Sequence, residues 1–183
     1  MLSVIDHSNR AHEHQLLRAM FEARKRVFID LLKWDLPVLA DRFARHLVSQ
    51  GLYAEGVSLI EAERKAGRRI VLATAAPHFY TAALARRLGI GDVVATASSW
   101  EAGHLTPAIV SANCYGADKR SLVEAFMQRS AIAREAVHIR FYSDHASDLP
   151  MFELADEAIA VNPSATMRGI AATRGWPVLD WRQ

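Results

Sequence analysis

From Arg69 onward short apolar runs alternate with stretches of helical spacing. The apolar runs are Ile70-Val71-Leu72-Ala73, Asp92-Val93-Val94-Ala95-Thr96, His138-Ile139-Arg140-Phe141-Tyr142 and Ala158-Ile159-Ala160-Val161. Helical spacing covers residues 78–88, 119–128, 149–154 and 165–173. Apolar strands alternating with helices define an α/β protein with a parallel sheet covered on both faces. A sheet of that kind brings the carboxyl ends of its strands to one rim, where ligands bind. The segment 99–117, with Gly103, Pro107 and Gly116, reads as irregular or hairpin-like, and Pro177-Val178-Leu179 as a terminal edge strand.

Thr74, Lys119, Asp144 and Asp148 each fall at a strand end or a helix start. On one rim they describe a phosphoryl site. The Thr74 hydroxyl with the backbone N–H groups of Ala75 and Ala76 would hold phosphate oxygens at a helix N-terminus, the Lys119 ammonium would neutralise the group, and the carboxylates would hold Mg²⁺. Singly, each residue has a plainer role: Thr74 as a strand-end hydroxyl capping a helix, Lys119 as a surface lysine, Asp148 as the N-cap of the short helix after it. It is the ordered combination that points to a site. His78, His104 and His138 lack metal-ligand spacing and read as structural or surface residues, and Cys114 reads as a packed thiol.

Composition narrows the partners. A formal charge of +2, with basic residues scattered as Arg64-Lys65, Arg68-Arg69 and Arg86-Arg87, argues against nucleic acid. No apolar run reaches the length of a membrane span, and Met1 to Asn9 carry an acid where a signal peptide carries its apolar core. A single cysteine gives no disulfide framework, so a reducing cytoplasm is the expected location.

The amino-terminal part follows a different pattern. Leu17, Met20, Phe21, Phe28, Leu31 and Leu32 recur at helical spacing, which predicts an amphipathic helix over 11–33, stopped near Pro37. Further helices are expected over 41–49, broken by Gly51, and over 54–66, burying Val57, Ile60 and Leu59 and closing at Gly67.

Three stretches carry a resemblance. Val71-Leu72-Ala73-Thr74-Ala75-Ala76-Pro77, Gly116-Ala117-Asp118-Lys119 and Tyr142-Ser143-Asp144-His145-Ala146-Ser147-Asp148-Leu149-Pro150-Met151 resemble the second, third and fourth motifs of the haloacid dehalogenase (HAD) superfamily, closest to its phosphoserine-phosphatase-like branch. The resemblance covers about residues 42 to 183. It implies a HAD-like, Rossmannoid three-layer fold around a parallel sheet, and a Mg²⁺-dependent hydrolase acting on a small phosphorylated metabolite. By the same resemblance Thr74 and Ala75 bind the phosphoryl group, Lys119 holds it and the nucleophile, Asp144 binds Mg²⁺, and Asp148 supports the metal site. His145 stands where the family has Gly, and Ser147 where it has Asn.

The family's first motif, Asp-x-Asp on the central strand, is missing. Residues 1–40 instead resemble the amino-terminal end of an acyl-homoserine-lactone synthase, with Arg24, Phe28 and Trp34 at that family's spacing. The acidic stretch expected after the Trp is absent, and so is the remaining synthase domain, so synthase activity is not expected. The sequence therefore divides near Ala40 into a helical segment, 1–40, and a HAD-like domain, 41–183, incomplete at its amino-terminus. The segment stands in place of a cap or forms a reduced one. Leu2-Ser3-Val4-Ile5-Asp6-His7-Ser8 keeps the apolar-strand-then-Asp form of the missing motif, so Asp6 is the candidate nucleophile and an additional metal ligand. Ser8 then occupies the acid/base position. Asp30 is a lesser candidate, since its neighbours Val27, Phe28, Leu31 and Leu32 suit a helix face. The functional expectation is a weak or impaired phosphomonoester hydrolase. Its alternatives are a phosphate- and Mg²⁺-binding pseudoenzyme and a recombinant fragment without an evolved function.

Overall fold

The computed structural model describes residues 35–101 and 104–182. The expected helix over 11–33, the apolar run 2–5, and the candidates Asp6 and Asp30 lie outside the described residues. In chain order the elements are α1 (Leu36–His46, continued by a π-helical turn Leu47–Gly51), α2 (Ala54–Lys65), β1 (Val71–Pro77), α3 (His78–Arg87), β2 (Asp92–Thr96), β3 (Ser98–Glu101) and β4 (His104–Ile109). They continue with α4 (Gly116–Arg129), β5 (Arg140–Ser143), α5 (Leu149–Leu154), β6 (Glu157–Val161), α6 (Ala165–Arg174) and β7 (Val178–Leu179).

The alternation read from the sequence is realised as parallel pairing. β1 pairs with β2 from Val71↔Asp92 to Thr74↔Ala95, and β5 pairs with β6, which pairs with β7. The segment after β2 resolves into an antiparallel hairpin of β3 and β4. Gly67 and Gly89 take left-handed conformations, φ +75° and +68°, and end α2 and α3 where a side chain would be strained.

Pro37 opens α1, in the first turn, where its missing N–H would have no partner anyway, and Asp35 caps the same turn by accepting the Val38 N–H at 3.1 Å. α2 spans the expected residues but buries none of Val57, Leu59 and Ile60 completely. β5 begins at Arg140 rather than His138, whose exposed ring instead meets Glu157 at 2.7 Å.

Strand alternation shows how the layers lie. Ile139, just before β5, and Phe141 of β5 join Val71 and Ala73 of β1 against a buried cluster of Val94, Cys114, Val123, Met127, Met151 and Leu154, which belongs largely to α4 and α5. Arg140 and Tyr142, on the opposite face of β5, reach Glu63 of α2 at 2.5 and 3.4 Å. Helices thus cover both faces of β5. A second cluster, Phe152, Ala158, Ala160, Met167 and Ala171, packs α5 and α6 on β6.

Among the described residues, the edge of β1 away from β2 and the edge of β5 away from β6 carry no pairing strand. Both strands are only half-buried, whereas β2 and β6 each contain fully buried residues. A parallel sheet normally buries its interior strands, so β1 and β5 present two open edges that share one core.

Candidate functional site

β1 ends in a register break. Thr74 pairs with Ala95 and Pro77 with Thr96, leaving Ala75 and Ala76 in a bulge at the carboxyl end of the strand. Thr74 is half-buried there and its Oγ1 accepts the Ala76 N–H at 3.2 Å, so its own proton is left to donate outward. This corrects one expectation: the Ala76 N–H is turned onto Thr74, and the helix that follows opens only at His78. Ala75 is exposed.

Thr96, at the end of β2 and 6% exposed, ties the rim together. Its hydroxyl lies 2.9 Å from the Ala75 carbonyl and 3.0 Å from Asn113 Oδ1, sharing one proton between them, and it accepts the Cys114 N–H at 3.1 Å. The bulge at the carboxyl end of β1 and the loop before α4 are thereby held together. Neither Thr96 nor Asn113 was singled out by the sequence, where a strand-end threonine and a loop asparagine have no distinguishing pattern. Cys114 is fully buried and its thiol points at the Val94 carbonyl, 3.4 Å away. Burial pushes that thiol up from its ordinary pKa, with Lys119 and a Thr74 backbone contact opposing. It is a packed thiol, as the sequence implied.

α4 starts at Gly116, whose φ of +60° turns the chain sharply after Tyr115. A Cβ there would come within 3.8 Å of the Ser147 carbonyl, so this turn abuts the loop after β5. Within the first turn of α4, Lys119 points inward. It is 7% exposed, and its Nζ donates to Asp148 Oδ2 at 2.6 Å. The plain reading of Lys119 as a surface lysine is therefore wrong. So is that of Asp148 as a capping residue, since its side chain makes no cap to α5.

Asp148 is 5% exposed, and its Oδ2 accepts a second hydrogen bond, from Ser143 Oγ at 2.7 Å. Its Oδ1 is buried with no hydrogen-bond partner among the described residues. A buried carboxylate oxygen left unpaired is costly, and such an atom marks a place where a cation or donor belongs. Asp144, one residue beyond β5, is exposed, and its carbonyl accepts the Ser164 N–H at 3.1 Å. His145 and Ser147, the two departures from the family motif, bond each other: His145 Nδ1 accepts from the Ser147 N–H at 3.1 Å and lies 2.9 Å from its Oγ. That pair closes the loop that would otherwise rest on Gly and Asn.

The site thus joins Lys119, Asp148 and Ser143 directly, with Asp144 on the adjoining loop and Thr74 and Ala75 linked in through Thr96 and Cys114. Ser143 is the residue that sequence reasoning missed; a hydroxyl immediately before the first acid, at a strand end, was the available signal. Asp148 Oδ1, unpaired among the described residues, and the exposed Asp144 are carboxylates of the kind that a hard divalent cation takes. Among the described residues no group of three His, Cys, Asp or Glu side chains is gathered as for a metal ion.

The haloacid dehalogenase-like hydrolase family matches the chain over residues 6–153, and the chain belongs to that family. Phosphoserine phosphatase SerB1 of Mycobacterium tuberculosis is 30% identical over 151 residues, 81% of this chain and 47% of that protein. The chain spans about half the length of the curated relatives it matches. Among solved structures, a Bordetella pertussis protein of unknown function superposes with a TM-score of 0.76 at 30% identity, covering 80% of this chain and 66% of that one. A HAD family hydrolase of Salmonella enterica shares the fold at a TM-score of 0.56 and 22% identity, over 65% of this chain and 40% of that one. The fold is accordingly HAD-like α/β with parallel sheets. No helix among the described residues is long and apolar enough to cross a membrane.

Proposed function

We propose that the chain is a Mg²⁺-dependent phosphomonoester hydrolase of low turnover, with Asp6 as its nucleophile. The observation that carries this reading is the buried Lys119–Asp148–Ser143 group with one carboxylate oxygen unpaired, set on the rim that Thr74 also reaches. Thr74 Oγ1 and the Ala75 N–H bind phosphoryl oxygens, and Lys119 offsets their charge. Asp144 and Asp148 hold the cation, with Asp6 as a further ligand. When bound, Mg²⁺ supplies positive charge against the phosphoryl oxygens. The Asp6 carboxylate attacks phosphorus, the substrate alkoxide departs, and water then hydrolyses the acyl phosphate to release inorganic phosphate and the free carboxylate.

Two facts support Asp6. The family match begins at residue 6, well before Ala40, and the open edges of β1 and β5 call for a strand between them. On this reading residues 1–40 supply that strand and a reduced cap, and their likeness to an acyl-homoserine-lactone synthase is confined to local spacing. Similarity to phosphoserine phosphatase SerB1 supports a small phosphorylated metabolite as substrate. The single buried thiol suits a reducing compartment, the cytoplasm.

Ser8 in place of an acid favours a second reading, a pseudoenzyme that binds phosphate and Mg²⁺ without turnover. The test is hydrolysis of p-nitrophenyl phosphate with Mg²⁺, with EDTA, and by Asp144→Asn. Mg²⁺-dependent release of nitrophenol, abolished by EDTA and by Asp144→Asn, supports the hydrolase. Calorimetric binding of phosphate with Mg²⁺ but no turnover selects the pseudoenzyme. Neither binding nor turnover, beside a low and non-cooperative melting transition, selects the fragment without an evolved function.

A further inference from the structure

The Asp148 carboxylate is used asymmetrically. Both of its donors among the described residues, Lys119 Nζ at 2.6 Å and Ser143 Oγ at 2.7 Å, fall on Oδ2, while Oδ1 is buried and has no hydrogen-bond partner among them. An ammonium alone does not fix that choice. Lys119 sits at the end of a flexible side chain and offers three equivalent protons, so either oxygen can meet it. The second donor is different in kind. Ser143 is the last residue of β5, and its backbone is held in register with Ala160 of β6, which is 0% exposed. Its hydroxyl hangs from a short side chain on a fixed strand. A charge-assisted hydrogen bond from such a point sets the rotation of the carboxylate plane.

We infer that Ser143 is a positioning residue: by holding Oδ2 together with Lys119, it turns Asp148 Oδ1 toward the cation site. This rests on the proposed Mg²⁺ site. Partners that orient the groups around a metal typically set its affinity by about 10–100-fold. Without the hydroxyl, Asp148 keeps its ion pair with Lys119 but loses the constraint on which oxygen is offered.

The experiment is a titration of the full chain with Mn²⁺ followed by electron paramagnetic resonance, in which the free ion's signal falls as it binds, with no substrate present. Wild type, Ser143→Ala and Ser143→Thr are compared, and each is melted in metal-free buffer. The expected result is Mn²⁺ binding about ten-fold weaker in Ser143→Ala, with Ser143→Thr close to wild type and all three melting cooperatively without metal, Ser143→Ala at a somewhat lower temperature because a buried charge loses a donor. Equal affinity in wild type and Ser143→Ala overturns the inference while leaving the proposed cation site in place. A Ser143→Thr variant as weak as Ser143→Ala also overturns it, since the hydroxyl is then not the cause. A wild-type chain that takes up no Mn²⁺ removes the cation site, and with it both readings.

Discussion

Lys119 and Asp148, 29 residues apart, form an ion pair of 2.6 Å in which the side chains are only 9% and 7% exposed. At that depth a charge has lost its water, and among the described residues neither member of the pair has a second counter-ion. Lys119→Met therefore leaves the Asp148 carboxylate buried with only the Ser143 hydroxyl, at a cost of about 3–5 kcal/mol. Lys119→Met combined with Asp148→Leu, which removes both charges, recovers most of that loss. Urea denaturation of the two variants checks the ordering; equal instability in both contradicts it.

Glu157 gives a pH dependence away from the site. The Arg140 guanidinium, bonded at 2.5 Å, and then His138 hold its carboxyl at about 2, against an ordinary 4.5. A depressed carboxyl contributes stability that is fully present above pH 4.5 and is lost as pH falls from there through about 2. The melting temperature of wild type should fall more steeply across that window than that of Glu157→Gln. Glu157 is 41% exposed, so 1 M salt should narrow the difference. Parallel pH profiles would remove Glu157 from the account.

Ser8 limits turnover on the proposed reading because a hydroxyl is a poor proton donor to the departing alkoxide. Restoring an acid with Ser8→Asp should raise the rate of alkyl phosphate hydrolysis by about 10²–10⁴-fold, the usual contribution of general acid–base help. The gain should be smaller for p-nitrophenyl phosphate, whose leaving group needs no proton. A rate unchanged for both substrates contradicts the assignment.

How much of this was legible in the sequence depends on the distance over which each feature is decided. β2 and α5 fall on their expected residues because an unbroken apolar run and a Pro-opened helix are local signals. Gly67 and Gly89 mark helix ends for the same reason. That Pro37 opens α1 was not read from the sequence, because a proline that ends one helix and one that opens the next look alike until the Asp35 cap is seen. Lys119 was placed at the rim by motif, but its burial was not legible, since a lysine in the first turn of a helix is usually solvated. Which oxygen of Asp148 is occupied, and that Ser143 occupies it, emerges only when β5, α4 and the loop between β5 and α5 meet. The Thr96 junction is a meeting of the β1 bulge, the end of β2 and the loop before α4, and has no sequence period at all.

The open edges of β1 and β5 have a consequence for the nucleophile that one assay reads directly. Hydrolysis of p-nitrophenyl phosphate with saturating Mg²⁺ should be measured for wild type and Asp6→Asn, with folding of the variant verified by its melting transition. Asp6 as nucleophile predicts measurable wild-type turnover and a loss of at least about 10³-fold in Asp6→Asn, as removal of an attacking group produces. A well-folded Asp6→Asn that hydrolyses the ester at the wild-type rate contradicts the account.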